Sequence, residues 1–249
     1  MRRIDETGFG DIKIIQDTDA FCYGIDAVLL ADFAAGSNMD AFIGDTAGSV
    51  KILDLGTGNG IIPLILCHKI QDVYVTGVEI QEKQAKIAEE NAAANGLDNR
   101  IKIVCSDIND ISSQILGSFD MITCNPPYFR RGAGMTSGNT AKMTARHETT
   151  ADIEDFLFKA CEMLKYGGQA AFVYRPGRLT ELLNGGVKAG LFPAQLQMIQ
   201  PFPDKNANIV LVRFIKGKKA ELEVLPAISV RDNNGMYTEN IDVIYERKK

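Results

Sequence analysis

Four residues, Asn125-Pro126-Pro127-Tyr128, close an apolar run from Phe119 to Cys124 that reads as a buried strand. An amide, two prolines and a phenol at a strand end make a rigid edge of acceptors beside an aromatic face. Such an edge suits holding a planar amine still. The prolines lack amide protons, fix their own φ near about −65° and push Asn125 toward extended geometry, so its side chain and the Pro126 carbonyl can converge on one point. An NH2 group conjugated to a ring or a carbonyl is a poor nucleophile because its lone pair is delocalised. Two acceptors that grip its hydrogens favour a more pyramidal nitrogen and release that lone pair. Tyr128 would stack on the substrate plane, an interaction worth about 1–3 kcal/mol per base on an aromatic platform. The chemistry that fits is methylation of an exocyclic or amide nitrogen.

A second constellation lies upstream. The apolar run Val50 to Leu55 leads into Asp54-Leu55-Gly56-Thr57-Gly58-Asn59-Gly60, and Ile61 to Ile70 is apolar enough for a helix packed on a sheet. Glycines at a strand-to-helix turn let backbone approach a ligand closely. Val73 to Val78 is a second strand-like run, and Glu79 at its end could accept both hydroxyls of a ribose. Nicotinamide dinucleotide binding is the natural rival. Against it, the turn reads D-x-G-x-G-x-G rather than G-x-G-x-x-G, and a third run, Ile101 to Cys105, ends in Ser106-Asp107.

At these residues the chain resembles the class I S-adenosylmethionine-dependent methyltransferases, in the branch that carries the N-P-P-Y tetrad. Within that branch it is similar to the bacterial tRNA(Val) adenine-N6 methyltransferase family of Gram-positive type. The likeness extends to the leader, Gln16 to Phe33, where Gly24-Ile25-Asp26-Ala27-Val28-Leu29-Leu30 matches the family's G-[TI]-D-A-[VI]-L-L segment. It also takes in Arg146-His147-Glu148 and, more loosely, Tyr237-Thr238-Glu239. The resemblance implies S-adenosylmethionine as cofactor and tRNA as partner, with an adenine of the anticodon loop, next to the anticodon, as target. It implies that Asp54, Gly56, Thr57, Gly58, Gly60 and Asn125 line the cofactor, Glu79 takes its ribose and Asp107 its adenine amine, and Ile80 and Ile108 sandwich the ring. Tyr23, Gly24 and Asp26 would belong to a lid. Asn125, Pro126, Pro127 and Tyr128 would be the catalytic group.

The elements that must position these groups alternate between strand and helix after residue 50, the signature of parallel β-α-β units. Strands are expected near 50–55, 73–79, 101–105, 119–125, 168–174, 195–201 and 208–215. Asp152 to Lys165 has helical spacing, with Gly167-Gly168 stopping the run, and Gln81 to Asn95 is a more polar helix ending at Gly96. The link from Pro201 to Asn208 is too short for a crossover helix, so the last two strands should be antiparallel. The expected fold is therefore α/β: a Rossmann-like, seven-stranded methyltransferase sheet, mostly parallel with an antiparallel last strand. The organisation expected is a leader or lid over 1–49, in which only Asp26 to Ala35 reads as helix, a methyltransferase domain over 50–220 and a tail over 221–249, forming one structural domain.

With 249 residues and 45% apolar composition, the chain can build one sizeable core. No apolar stretch nears the roughly 20 residues of a membrane span, and Met1-Arg2-Arg3-Ile4-Asp5 leads into no signal region, so a cytoplasmic protein is expected. Cys22, Cys67, Cys105, Cys124 and Cys161 form no C-x-x-C pair and read as small core residues. With only His68 and His147 beside them, no metal site is expected.

The net charge of −5 argues against a general nucleic-acid coat, so an RNA enzyme of this composition must concentrate its positive charge locally. Residues 130–148 supply Arg130, Arg131, Lys142, Arg146 and His147 against a single acid. Phe129, Arg130, Arg131, Arg146 and His147 therefore join Tyr128 as candidate substrate contacts. No general base is needed, since an alkylated amine sheds its proton readily, and His147 is read as structural or RNA-contacting. The clusters Lys216-Lys218-Lys219 and Arg247-Lys248-Lys249 read as solvated ends.

Three rivals share parts of this pattern. A glutamine amide of a release factor or ribosomal protein would fit the same tetrad, although release-factor methyltransferases usually carry a longer helical domain before the glycine turn. Guanine-N2 methylation of ribosomal RNA is more often accompanied by phenylalanine at the tetrad's last position. A non-catalytic cofactor-binding adaptor is the alternative from a different class.

Overall fold

The computed structural model describes residues 1–19, 22–36, 49–127 and 151–247. The chain opens with an antiparallel hairpin, β1 (Arg2–Glu6) and β2 (Lys13–Asp17), and then helix α1 (Ile25–Ala35). The α/β core runs β3 (Val50–Leu55), α2 (Ile61–Lys69), β4 (Val73–Glu79), α3 (Glu82–Ala94), β5 (Ile101–Cys105), α4 (Ser113–Leu116) and β6 (Phe119–Cys124). It continues through α5 (Ile153–Met163), β7 (Leu164–Tyr174), α6 (Leu179–Ala189), β8 (Leu191–Gln200), β9 (Ile209–Lys216), β10 (Glu223–Ser229) and α7 (Glu239–Ile244).

The main sheet has the order β10-β8-β9-β7-β6-β3-β4-β5. All its neighbours are parallel except β9, which runs antiparallel to both β7 and β8. The short link between the last two expected strands thus produces the reversed pairing its length required. From β3 the chain steps outward to β4 and β5, then crosses back to β6 on the other side of β3. That reversal falls between β3 and β6, and open α/β sheets bind ligands beyond the carboxyl ends of the strands at such a point.

Alternation along the strands divides the core in two. Val50, Ile52, Met121, Ala171, Val173 and Leu211 face one apolar cluster with α1 and α2, whereas Leu53, Leu55, Ile122, Phe172 and Val212 face the other with α5 and α6. Successive side chains of a strand point to opposite faces, so near-continuous apolar runs mark strands covered on both sides. Helix α1 packs beside α2 and against β6, β7 and β9. Arg213 on β9 closes its carboxyl end: this buried guanidinium donates to the Phe33 carbonyl and, across 2.6 Å, to Gln169 Oε1. Burial alone lowers its pKa to about 10.

Four features differ from the sequence reading. Among the described residues the sheet has eight strands rather than seven, because β10, from the segment expected to be a tail, pairs with β8. Its residues are largely exposed, it contains Pro226, and its register slips between Leu225 and Ile228, which is how proline is accommodated on an edge strand. The leader carries a hairpin besides its helix. Helix α5 stops at Met163, not at the glycines, and Leu164 turns directly into β7. A Cβ on Gly168 would lie 2.9 Å from the Lys165 carbonyl oxygen and 3.0 Å from that of Asp120, so this glycine serves close strand packing inside β7 instead of ending a helix. Of the cysteines, Cys67 and Cys124 are buried, Cys22 and Cys161 are intermediate, and Cys105 is exposed at the end of β5.

Candidate active site

The site is assembled at the carboxyl edge of β3, β4, β5 and β6. In the parallel register Leu55 lies opposite Val78 on one side and Cys124 on the other, and Glu79 lies opposite Cys105. In that register Gly56 falls beside Glu79 on one side and Asn125 on the other, with Ile80 and Ser106 one residue beyond. Sequence separations of about 20 to 70 residues collapse into one row of neighbours.

The glycine turn is held from below. Gly56 and Thr57 both donate backbone N–H groups to the Val78 carbonyl at 2.9 Å. Gly58 (φ +57°) and Gly60 (φ +83°) occupy the left-handed region that other residues avoid. They serve different ends. A Cβ on Gly58 would meet nothing within 4 Å, so the turn opens there into free space, whereas a Cβ on Gly60 would crowd Ala88 at 3.1 Å, where α3 crosses. Gly60 also precedes the first turn of α2.

Glu79 is buried, and it braces this turn. Its Oε2 accepts the Gly58 N–H and its Oε1 the Gln81 N–H, each at 2.9 Å. A carboxylate offers about four acceptor sites, so bracing the loop is compatible with receiving ligand hydroxyls. Beneath the turn, Asp54 is fully buried, and its Oδ1 accepts the Thr123 hydroxyl at 2.7 Å. Burial pushes its pKa up to about 6, against the hydroxyls of Thr57 and Thr123, which lower it. Thr57 Oγ1 and Asp54 Oδ2 are buried polar atoms that fall outside hydrogen-bonding geometry.

The remaining candidates occupy the rim. Asp107 caps the 3₁₀ turn Ile108–Asp110, its Oδ1 accepting from the Asn109 backbone N–H at 2.9 Å; Ile108 is buried and Ile80 half-buried. Asn125 and Pro127 are half-buried and Pro126 buried. Tyr23 is half-buried ahead of α1, Gly24 is the N-cap of that helix, and Asp26 Oδ1 accepts the Ala27 N–H at 3.0 Å. Tyr128, Phe129, Arg130, Arg131, Arg146 and His147 lie outside the described residues. Among the described residues no group of three or more His, Cys, Asp or Glu could hold a metal ion, and no helix is long and apolar enough to cross a membrane.

Three buried amides missing from the sequence reading tie the leader to the turn. Gln16 Oε1 accepts the Tyr23 N–H at 3.1 Å and the Asn59 side-chain amide at 3.4 Å. Asn91 on α3 donates to the carbonyls of Asn59 (2.9 Å) and Ile15 (3.0 Å) and accepts the Ile15 N–H at 2.6 Å. Asn91, an amide inside an alanine-rich helix, is the only one of the three with a local signal of this role, since a polar residue on a buried helical face needs partners.

Comparison with known proteins agrees with this geometry. The methyltransferase small domain family matches residues 35–184. A Porphyromonas gingivalis protein named tRNA1(Val) (adenine(37)-N6)-methyltransferase is 32% identical over 83% of this chain and 79% of its own length. A protein of the same name from Actinobacillus succinogenes is 30% identical over 92% of this chain and 91% of its own. The crystal structure of a predicted O-methyltransferase from Agrobacterium tumefaciens superposes with a TM-score of 0.67 at 20% identity, covering 89% of this chain and 95% of the other, and shares the fold. The chain belongs to the methyltransferase small domain family and is an S-adenosylmethionine-dependent N-methyltransferase.

Proposed function

We propose that this protein methylates N6 of an adenine in tRNA, the adenine at position 37 beside the anticodon of tRNA1(Val), as its relatives are named for doing. The observation that carries the reading is the placement of Asn125-Pro126-Pro127 directly beside Gly56 at the reversal point of the sheet, next to the turn expected to hold the methyl donor.

The residues fit that donor. The open space over Gly58 admits a ligand against the backbone, the Glu79 carboxylate beside it would offer ribose hydroxyls an acceptor, and buried polar atoms of Asp54 and Thr57 lie under the turn. When bound, S-adenosylmethionine supplies an electrophilic methyl carbon attached to a sulfonium. Asp54, Gly56, Thr57, Gly58 and Gly60 would line it, Glu79 would receive its ribose, Asp107 its adenine amine, and Ile80 and Ile108 would flank the ring. Tyr23, Gly24 and Asp26 would cover it.

Asn125 and the Pro126 carbonyl would hold the target amine, with Tyr128 stacked on the base. Rate would come mainly from positioning and from a preorganised polar site, without a general base. Phe129, Arg130, Arg131, Arg146 and His147 would contact the RNA. A target in structured RNA must leave its stack, which favours a loop. Work on tRNA would place the protein in the cytoplasm.

The test is to incubate the protein and methyl donor with separated tRNA and protein fractions from cells lacking the gene, then identify the methylated product by mass spectrometry. N6-methyladenosine in tRNA1(Val) is expected. Label appearing only in glutamine side chains, or as N2-methylguanosine, would overturn the proposal.

A further inference from the structure

The hairpin of β1 and β2 carries a polar chain that ends at the glycine turn. Arg3 lies directly across from Gln16 and Asp5 across from Ile14, so these four side chains share one face of the hairpin, and the fully buried Ile14 sinks that face into the core. Gln16 is buried with it. Its Nε2 donates to Asp5 Oδ2 at 2.5 Å, and the exposed Arg3 donates to the same oxygen through Nη2 at 2.8 Å.

The two ends of a glutamine amide are told apart by their partners. A carboxylate can only accept, so Asp5 dictates that the Gln16 NH2 faces it. The Gln16 oxygen is thereby turned toward two donors, the Tyr23 N–H at 3.1 Å and the Asn59 side-chain amide at 3.4 Å. One atom thus joins the chain just before α1 to the middle of the glycine turn.

Asn59 is a position where outside support matters. It stands between Gly58 (φ +57°) and Gly60 (φ +83°), and glycine restrains backbone rotation less than any other residue. Glu79 holds the turn at the Gly58 N–H from β4, Asn91 holds the Asn59 carbonyl from α3, and Gln16 holds the Asn59 side chain from the hairpin. Of these three, Gln16 also grips Tyr23, the residue expected to cover the cofactor.

We propose that Gln16 is a positioning residue for the cofactor and that Asp5 acts through it. Asp5 orients the Gln16 amide, and the Gln16 oxygen sets how closely the cover at Tyr23 approaches the turn at Asn59. The proposal rests on the placement of S-adenosylmethionine over that turn.

The experiment measures S-adenosylhomocysteine binding to the full-length protein by calorimetry at about pH 8, where carboxylates are ionised. Gln16→Met keeps the length of the side chain and removes both ends of the amide, so affinity should fall about tenfold, and in steady-state methylation the loss should appear in the KM for the cofactor rather than in kcat. Asp5→Ala should weaken binding about threefold in the wild-type background and have no further effect once Gln16 is Met, because the two act as one unit. Gln16→Glu sets two carboxylates against each other and should bind poorly. Combining it with Asp5→Asn reverses donor and acceptor between the pair, leaves an oxygen for Tyr23 and Asn59, and should restore affinity to within about threefold of wild type.

If Gln16→Met binds as tightly as wild type while Glu79→Ala does not, the hairpin has no part in the site and the cofactor placement stands. If neither substitution weakens binding, both fall. An Asp5→Ala effect that persists undiminished beside Gln16→Met would show that the hairpin acts through general stability and would overturn the positioning role. Should Gln16→Met fail to fold, the exchanged pair decides: affinity no better than that of Gln16→Glu alone overturns the proposal, and recovery upholds it.

Discussion

The Glu79 carboxylate accepts the Gly58 backbone N–H across 2.9 Å, joining the end of β4 to the turn that follows β3. The acid expected to receive a ribose also fixes the loop over which the rest of the cofactor must lie. On the proposed reading, recognition and preorganisation would run through one side chain.

Replacing Glu79 should consequently cost more than one ligand contact. Hydrogen bonds to a charged group are worth about 1.5–3 kcal/mol, so Glu79→Ala should weaken S-adenosylhomocysteine binding about 10- to 100-fold by calorimetry. Affinity within twofold of wild type would remove Glu79 from the cofactor site.

Asn125→Ala should act on the chemical step. It removes one preorganised acceptor for the target amine and leaves the glycine turn and Glu79 in place. Single-turnover methyl transfer at saturating cofactor and tRNA should slow on the order of 10²- to 10³-fold, with a much smaller change in cofactor affinity. A folded variant working within about threefold of wild type would show that the tetrad is structural here.

Asp54 should leave a signature in the pH dependence of stability. Its native pKa, raised to about 6 by burial from an ordinary 3.8, means that the folded state holds a proton which the unfolded chain has released across that window. Stability contributed by this group is therefore greatest below about pH 4, falls as pH rises toward 6 and is level above; the total is roughly 3 kcal/mol. Asp54→Asn keeps an acceptor for the Thr123 hydroxyl and cannot ionise. Urea denaturation should show the variant gaining on wild type as pH rises from 4 to 7. A difference that stays flat would mean that Asp54 does not titrate in that range.

Asn91→Ala should loosen the leader and the glycine turn together. Three hydrogen bonds are lost, to Ile15 twice and to Asn59 once, so a stability loss of about 2–4 kcal/mol is expected in urea, accompanied by weaker cofactor binding. Loss of stability with cofactor affinity intact would show that the turn holds its shape without α3.

The sequence by itself determined the parallel core and the identity of its edge. Runs such as Ile52-Leu53 and Met121-Ile122 are apolar on consecutive residues because the sheet is covered on both faces, and glycine, acid and N-P-P-Y signals fall at strand ends because only there can side chains leave the sheet toward a ligand. Local chemistry wrote those features, so local reading recovered them. What lay beyond it depends on contacts between distant segments. The exposed strand β10, with its proline and slipped register, is a strand only because β8 offers it an edge. Gln16 and Asn59 are ordinary polar residues until the hairpin folds against the turn. Arg231, Tyr237 and Arg247 are separated in sequence, and only the tertiary fold brings both guanidinium groups over the Tyr237 ring.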